Sequence, residues 1–198
     1  FKNMSSNQRF NMNLSGGGKV ARYYLAVTYN RDNGILKVDK RNNFNSNIAL
    51  DKISVRSNVN LNLTRSTEMI IRMNANFDDY SGPIDGGEGM FNKVMRANPV
   101  LFPAYYAPDE ANAYANHILF GNAPTANYIN PYADMVKGYK EYSQTMVLAQ
   151  AELKQNFDFI TEGLSARVMA NTTRTSYFDL TRSYSPYYYT IDRYDKME

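Results

Sequence analysis

Apolar and polar residues alternate with a period of two over much of the chain, and helical periodicity is nearly absent. In residues 8–14, phenylalanine, methionine and leucine alternate with arginine and asparagine, and residues 19–30 resume the alternation after a glycine-rich turn at 15–18. Successive side chains of a strand point to opposite faces of a sheet, so this pattern predicts two half-buried strands. Together they form the clearest β-hairpin in the sequence.

The same alternation returns in four later segments, at residues 43–63, 67–77, 143–157 and 164–175. Within the first of these, the apolar positions change parity after Lys52, which indicates either a β-bulge or a break into two strands near residues 46–55. Most of the segments are longer than the 5–6 residues typical of a strand. They are long enough to cross an outer-membrane core, which takes roughly 9–11 tilted residues.

The connections between these segments form two classes that alternate along the chain. Short turns are predicted at residues 15–18, 63–66 and 158–163, and longer connections at 32–41, at 78–142 and after 176. Short turns at one end of the strands and long loops at the other are typical of outer-membrane barrels. The polar positions of the strands are rich in asparagine, arginine, glutamine, serine and threonine, which suits a water-filled interior.

The connection at residues 78–142 differs from the rest of the chain. It contains six of the seven prolines together with many aromatic residues, and one short helix is predicted at 109–119. The glycines at 86, 87 and 89 do not predict a phosphate-binding loop, because no Gly-Lys-Ser/Thr sequence follows and no helix is predicted after them. We therefore divide the chain into strands at 1–77, a long loop at 78–142, and further strands leading into another loop at 143–198.

Composition excludes several classes of chemistry. The chain has no cysteine, which excludes disulfides, thiolate metal sites and cysteine nucleophiles, and His117 is its only histidine. No serine or aspartate stands at a diagnostic spacing from His117, and no cofactor motif is present, so we expect neither an enzyme nor a bound cofactor. The net charge of +3 combines an acidic middle, with eight acidic and four basic residues at 78–142, with basic flanks. Because no run of lysine or arginine occurs, we expect no nucleic-acid partner.

Two all-β folds fit the alternation. One is a segment of a large antiparallel transmembrane β-barrel with a wet interior. The other is a soluble β-sandwich or jelly roll, in which alternation also marks half-buried strands. The long strands and the two classes of connection favour the barrel. Because the chain begins at Phe1 and enters a strand-like pattern at once, we expect it to be a piece of a longer protein.

Several segments resemble one protein family, in order along the chain. Residues 15–24 (SGGGKVARYY) are similar to a hairpin of the SusC/RagA-type TonB-linked outer-membrane proteins of Bacteroidetes, and residues 55–64 (VRSNVNLNLT) resemble a strand and turn of the same proteins. Further similarity covers residues 32–35, 98–106, 130–133 and 153–163. No single motif is specific to the family, but the occurrence of all of them in the same order over nearly the whole chain is specific.

The resemblance implies a plugged barrel of about 22 strands, of which this chain supplies about six, with the long loop on the extracellular side. It implies a place in the outer membrane of a Gram-negative cell, surrounded by outer-membrane lipid. The implied function is import of oligosaccharides, or of peptides, through a channel beneath a SusD-like surface lipoprotein. The TonB complex would supply the energy through parts outside this chain. A TonB-dependent siderophore or cobalamin receptor and a soluble β-sandwich carbohydrate-binding module are the alternatives.

The candidate binding residues are tyrosines of the long loop. Tyr105, Tyr106, Tyr128 and Tyr132 could stack on sugar rings, hold a peptide or contact the lid protein. An aromatic ring offers a flat apolar face, and the phenol adds a hydrogen-bonding group. These four residues are therefore candidates for contact with the substrate or the partner protein, and packing within the loop is the alternative.

Two other groups of residues are candidates for different roles. Tyr23 and Tyr29 are predicted to belong to the aromatic girdle at the membrane boundary. A set of acidic residues in the long loop could offer oxygen ligands to Ca²⁺, although no EF-hand pattern is present and a solvated acidic loop is the simpler interpretation. The members of this set are Asp78, Asp79, Asp85 and Glu88.

Overall fold

The computed structural model describes residues 1–38, 41, 44–125 and 128–191 of the 198-residue chain. Six long strands dominate it, and two helices and three short strands accompany them. In chain order the elements are β1 (Ser6–Gly17), β2 (Ala21–Asn33), β3 (Ala49–Asn62), β4 (Thr67–Gly82), α1 (Gly86–Arg96), β5 (Tyr105–Tyr106), β6 (Leu119–Gly121), α2 (Pro131–Val136), β7 (Gly138–Asn156), β8 (Ser165–Ser183) and β9 (Tyr188–Tyr189).

The six long strands form one antiparallel sheet in the order β1-β2-β3-β4-β7-β8. Each pairs with its neighbour in an unbroken register, from 12 residues in β1 to 19 in β7 and β8. The predicted antiparallel all-β fold is therefore confirmed. The sheet does not close on itself, since β1 and β8 lie at its two edges.

The register places apolar side chains of all the inner strands on one face, which we call the apolar face. Met12, Val27, Val55, Ala75 and Val147 lie on this face as one row across five strands. No second sheet covers this face within the described residues. Many of its side chains are accordingly exposed or half-exposed, such as Met12 at 50%, whereas Ala75 is buried.

The opposite, polar face carries amides, hydroxyls and charges. Asn58 pairs with Arg72, and Arg72 pairs in turn with Gln150 across β3, β4 and β7. Ser54 donates a hydrogen bond of 2.8 Å to the side-chain oxygen of Asn76. The two faces thus differ as the alternation predicts, and every strand contributes to both.

The strand β3 resolves the change of parity that the sequence left open. It runs without a bulge or break from Ala49, and residues 44–48 before it are not in a strand, so the predicted strand start is wrong there. Residue 43 lies outside the described residues. Asn47 is buried, and its side-chain oxygen accepts a hydrogen bond from the backbone N–H of Leu36 at 3.0 Å. This bond fixes residues 44–48 as an ordered connection and not as an extension of the ladder.

The segment between β4 and β7 is shorter than predicted. It covers residues 83–137, because Asp78 and Asp79 continue the ladder by pairing with Gln144 and Ser143. The prediction that no helix follows the glycines at 86, 87 and 89 is also wrong, since α1 begins at Gly86. Glu88 in its first turn and Lys93 in its last suit the helix dipole, and Met90 is buried. Packing of this face outweighs the poor helix propensity of glycine.

The helix predicted at residues 109–119 is absent. A side-chain oxygen of Asp109 accepts a hydrogen bond of 2.8 Å from the backbone N–H of Asn112, which closes a single turn, and the chain then enters β6. The second helix is instead α2, which Asn130 caps through a hydrogen bond from the N–H of Ala133. Neither helix in the described part of the chain is long and apolar enough to cross a membrane.

Candidate functional site

Two of the four candidate tyrosines meet at the loop end of the sheet, by which we mean the end that carries α1, α2 and β5. Tyr105 lies in β5 and Tyr132 in the first turn of α2, and their ring centroids are 5.4 Å apart. The guanidinium carbon of Arg41 lies 3.9 Å from the Tyr105 ring centroid, and its Nη1 donates to the Tyr132 hydroxyl at 3.4 Å. This cation–π arrangement ties the β2–β3 connection to the long loop.

The other two candidate tyrosines do not join this pair. Tyr106 pairs with Leu119 in the small sheet of β5, β6 and β9. The ring of Tyr128 lies 6.2 Å from that of Phe102, in a tilted arrangement. The four residues therefore divide between one cluster around Arg41 and two separate packing contacts.

A cavity of about 810 Å³ opens beside the Arg41 cluster. Its walls come from the β2–β3 connection, α1, α2 and the residues between the helices, and they are mostly apolar. Leu36, Met90, Val94, Phe102 and Met135 form much of the lining, and Arg41, Asn130 and Tyr132 are among its polar members. A cavity of this size falls within the range of ligand pockets.

An ion-pair cluster holds α1 against α2 beside this cavity. Lys93 Nζ lies 2.8 Å from Asp85 Oδ2 and 2.6 Å from Asp134 Oδ2, and Lys137 Nζ lies 2.6 Å from Asp134 Oδ1. Burial alone would raise the pKa of Asp134, but hydrogen bonds from Lys137 and Lys93 outweigh it and lower the pKa below its ordinary value. Burial alone would likewise lower the pKa of Lys93, but its two carboxylate partners raise it.

The four acidic residues considered for Ca²⁺ are not brought together. Asp78 and Asp79 follow each other in β4 and therefore point to opposite faces, and Lys52 Nζ lies 3.5 Å from Asp78. Asp85 is held by Lys93, and Glu88 lies in the first turn of α1. Among the described residues, no three histidine, aspartate or glutamate side chains come close enough to hold a metal ion.

The two girdle candidates both lie on the apolar face. Tyr23 is near the turn end of the sheet, where the short connections lie, and its ring covers Gly16 of the neighbouring strand. Tyr29 is near the loop end, and its hydroxyl donates a 2.6 Å hydrogen bond to Asp51. The two rings therefore stand toward opposite borders of the apolar face.

The sequence did not point to an ionic network on the polar face. Glu152 on β7 is only 3% exposed, and Arg72 Nη1 and Arg167 Nε each lie 3.1 Å from its carboxylate. Lys154 Nζ lies 3.7 Å from both Glu152 and Glu68, which joins the two carboxylates into one network. Strand alternation places each residue on the polar face, but only the register brings them together.

The register also aligns three tyrosines of the polar face that the sequence analysis did not single out. They are Tyr80 on β4, Tyr142 on β7 and Tyr177 on β8. Counting residues from the short connection between β7 and β8 could have aligned Tyr142 with Tyr177, whereas the long segment between β4 and β7 gives no such count for Tyr80.

His117 is exposed, and its Nε2 lies 2.7 Å from the hydroxyl of Tyr189. Its ring packs 4.9 Å from that of Tyr187. These contacts make it a packing histidine between β6 and β9.

No protein-family model matches the chain, and no curated protein matches it.

Proposed function

We propose that this chain forms part of the wall of an outer-membrane β-barrel that imports nutrient oligomers, in the manner of SusC-like channels. The observation that carries the proposal is the uncovered apolar face of the six-stranded sheet, combined with a charged and polar opposite face. A soluble β-sandwich would bury such a face against a second sheet. Exposed apolar area of this extent on a single sheet suits contact with lipid.

The transport role itself rests on the resemblance to SusC-like proteins and on the character of the polar face. Amides, hydroxyls and paired charges along this face would line a water-filled lumen. The long loop, with its cavity of about 810 Å³, would lie outside the cell beneath a SusD-like lipoprotein. Energy would come from the TonB complex. Glycans are the proposed substrates, with peptides as the second candidate.

Two experiments on the full-length protein test the proposal. Fractionation of cells that produce the protein should recover it in the outer membrane, in a form whose gel mobility changes on heating. Deletion of its gene should abolish growth on at least one oligosaccharide or peptide mixture as sole carbon source while growth on glucose persists. Recovery as a water-soluble protein would overturn the barrel, and unimpaired growth on all the oligomers would overturn import.

A further inference from the structure

The three tyrosines of the polar face form a continuous aromatic strip, which we call the tyrosine strip. The rings of Tyr80 and Tyr142 stack with centroids 4.8 Å apart and planes 11° from parallel. The centroid of Tyr177 lies 6.0 Å from that of Tyr142. Because β4, β7 and β8 are neighbours in the sheet, the strip runs across the strands near their loop end.

The strip presents ring surface toward the space in front of the polar face. Tyr177 is 54% exposed, and Tyr142 is half-buried between its two neighbours. The Tyr80 ring lies over Gly82, where any Cβ would collide with the phenol, so the glycine leaves room for the stack. The stack holds the exposed ring of Tyr177 in place, and this ring offers a preformed surface for a ring-shaped ligand at little cost in side-chain entropy.

A polar recess of about 330 Å³ adjoins the strip on the same face. Gln144 connects the two features, since it lines the recess and pairs with Tyr177 across β7 and β8. Lys52 and Asp78 line the recess together, with Lys52 Nζ 3.5 Å from the carboxylate of Asp78. The recess thus offers an amide, an ammonium group and a carboxylate. The charges of the ammonium group and the carboxylate compensate each other.

This combination matches the chemistry of an uncharged sugar. A pyranose ring has apolar C–H faces that can lie on an aromatic ring, and its hydroxyls can both donate and accept hydrogen bonds. A ligand with net charge would instead need an uncompensated opposite charge in the recess, and the Lys52–Asp78 pair provides none.

We propose that the tyrosine strip and the adjoining recess form a binding subsite for a neutral oligosaccharide. One sugar ring would stack on the exposed ring of Tyr177, which Tyr142 holds in place, and the next would place its hydroxyls against Gln144 and Asp78. The inference rests on the proposed import function and assigns a part of the channel wall to substrate contact. The subsite is separate from the Arg41 cluster at the loop end.

Titration calorimetry on the full-length protein in detergent tests this assignment. The probes are maltohexaose, xylohexaose and mannohexaose, all uncharged. We expect at least one of them to bind, and we expect the double variant Tyr142→Leu with Tyr177→Leu to bind it about tenfold or more weakly, because it removes the stacking ring of Tyr177 together with the ring that holds it in place. The corresponding double change to phenylalanine keeps the rings and should bind within about threefold of wild type.

Tyr23→Leu is the matched control, because it removes an aromatic ring from the apolar face of the same sheet. It should leave sugar affinity unchanged, and circular dichroism should show the same strand content in every variant. Equal affinity of the leucine double variant and wild type would overturn the subsite and leave import intact. Binding of none of the three hexasaccharides would also overturn it. Failure of the proposed import function would appear separately, as loss of outer-membrane location or of a growth phenotype.

Discussion

Replacement of Glu152 by glutamine should destabilise the sheet through the ionic network of the polar face. The carboxylate of Glu152 is almost fully buried, and Arg72 and Arg167 each reach it at 3.1 Å, with Lys154 at 3.7 Å. Glutamine has nearly the same shape but carries no charge. The variant would therefore leave three cations close together around a neutral amide.

The expected loss of unfolding free energy follows from this geometry. Hydrogen bonds to charged groups contribute about 1.5–3 kcal/mol, and breaking a fully buried ion pair costs about 3–5 kcal/mol. The partners are partly solvated, because the side chains of Arg72 and Arg167 are 44% and 60% exposed, and this reduces the electrostatic part. We therefore expect a measurable loss of unfolding free energy that stays below the loss caused by breaking a fully buried ion pair.

Guanidinium unfolding in detergent micelles, followed by far-ultraviolet circular dichroism, measures this loss. Glu141→Gln on the same strand is the matched control, since Glu141 is exposed and lies outside this network. The unfolding midpoint of Glu152→Gln should fall clearly below that of Glu141→Gln, and adding Arg167→Gln should cost less than it does in wild type. Midpoints that coincide for the two glutamate variants would refute the role of the network.

Three further predictions concern other parts of the chain. Gly138→Ala should cost about 1–3 kcal/mol in thermal or denaturant unfolding, because its Cβ would collide with a backbone carbonyl of β8, whereas Gly18→Ala meets no neighbouring atom; equal effects would contradict the packing argument. The pKa of Asp134 is lowered on folding, so its stabilisation is complete above the unfolded value of about 4 and is lost as the pH falls through the folded-state value. Asp134→Asn should thus lower the melting temperature at pH 7, and the difference from wild type should shrink as the pH drops below about 4; a constant difference would contradict it. Val55→Arg on the apolar face should reduce stability in the membrane by about 2–4 kcal/mol, as measured by unfolding from lipid vesicles, and an unchanged value would argue against lipid contact.

Strand alternation was a reliable guide to the sheet because it follows directly from backbone geometry. The residues of β3 after Lys52 alternate as predicted, and their apolar members lie on the apolar face. The stretch before Ala49 also alternates, yet it forms no ladder. Buried contacts of Ser46 and Asn47 with other segments decide its path, and these depend on tertiary structure.

The helices were harder to predict from the sequence than the strands. The first turn of α1 contains Gly86, Gly87 and Gly89, which normally disfavour a helix, and only its packing makes it stable. A Cβ at Gly87 would approach the terminal methyl group of Ile48 to 2.6 Å, so a larger residue there would displace that side chain. In contrast, the Asn130–Pro131 start of α2 carried a recognisable signal, a capping residue followed by proline, that the sequence analysis passed over.

The sequence indicated which type of residue the candidate site contains, but it did not indicate which of these residues come together. Four tyrosines of the long loop were predicted as a group, but only Tyr105 and Tyr132 meet, and their partner Arg41 comes from a distant connection. The tyrosine strip depends on the register of β4, β7 and β8. Register over long strands cannot be read from the alternation of one segment, because each strand alternates identically after a shift of two residues.

Single-cysteine labelling along β3 tests the central claim most directly. The chain has no cysteine of its own, so each introduced thiol is unique within it. In intact outer membranes, Ser54→Cys and Asn58→Cys should react with a water-soluble maleimide, whereas Val55→Cys and Val59→Cys should be protected. A fluorophore at the two valine positions should be quenched by lipid-attached nitroxides. Equal reactivity of all four thiols with the water-soluble maleimide would contradict a lipid-facing apolar face and, with it, the barrel.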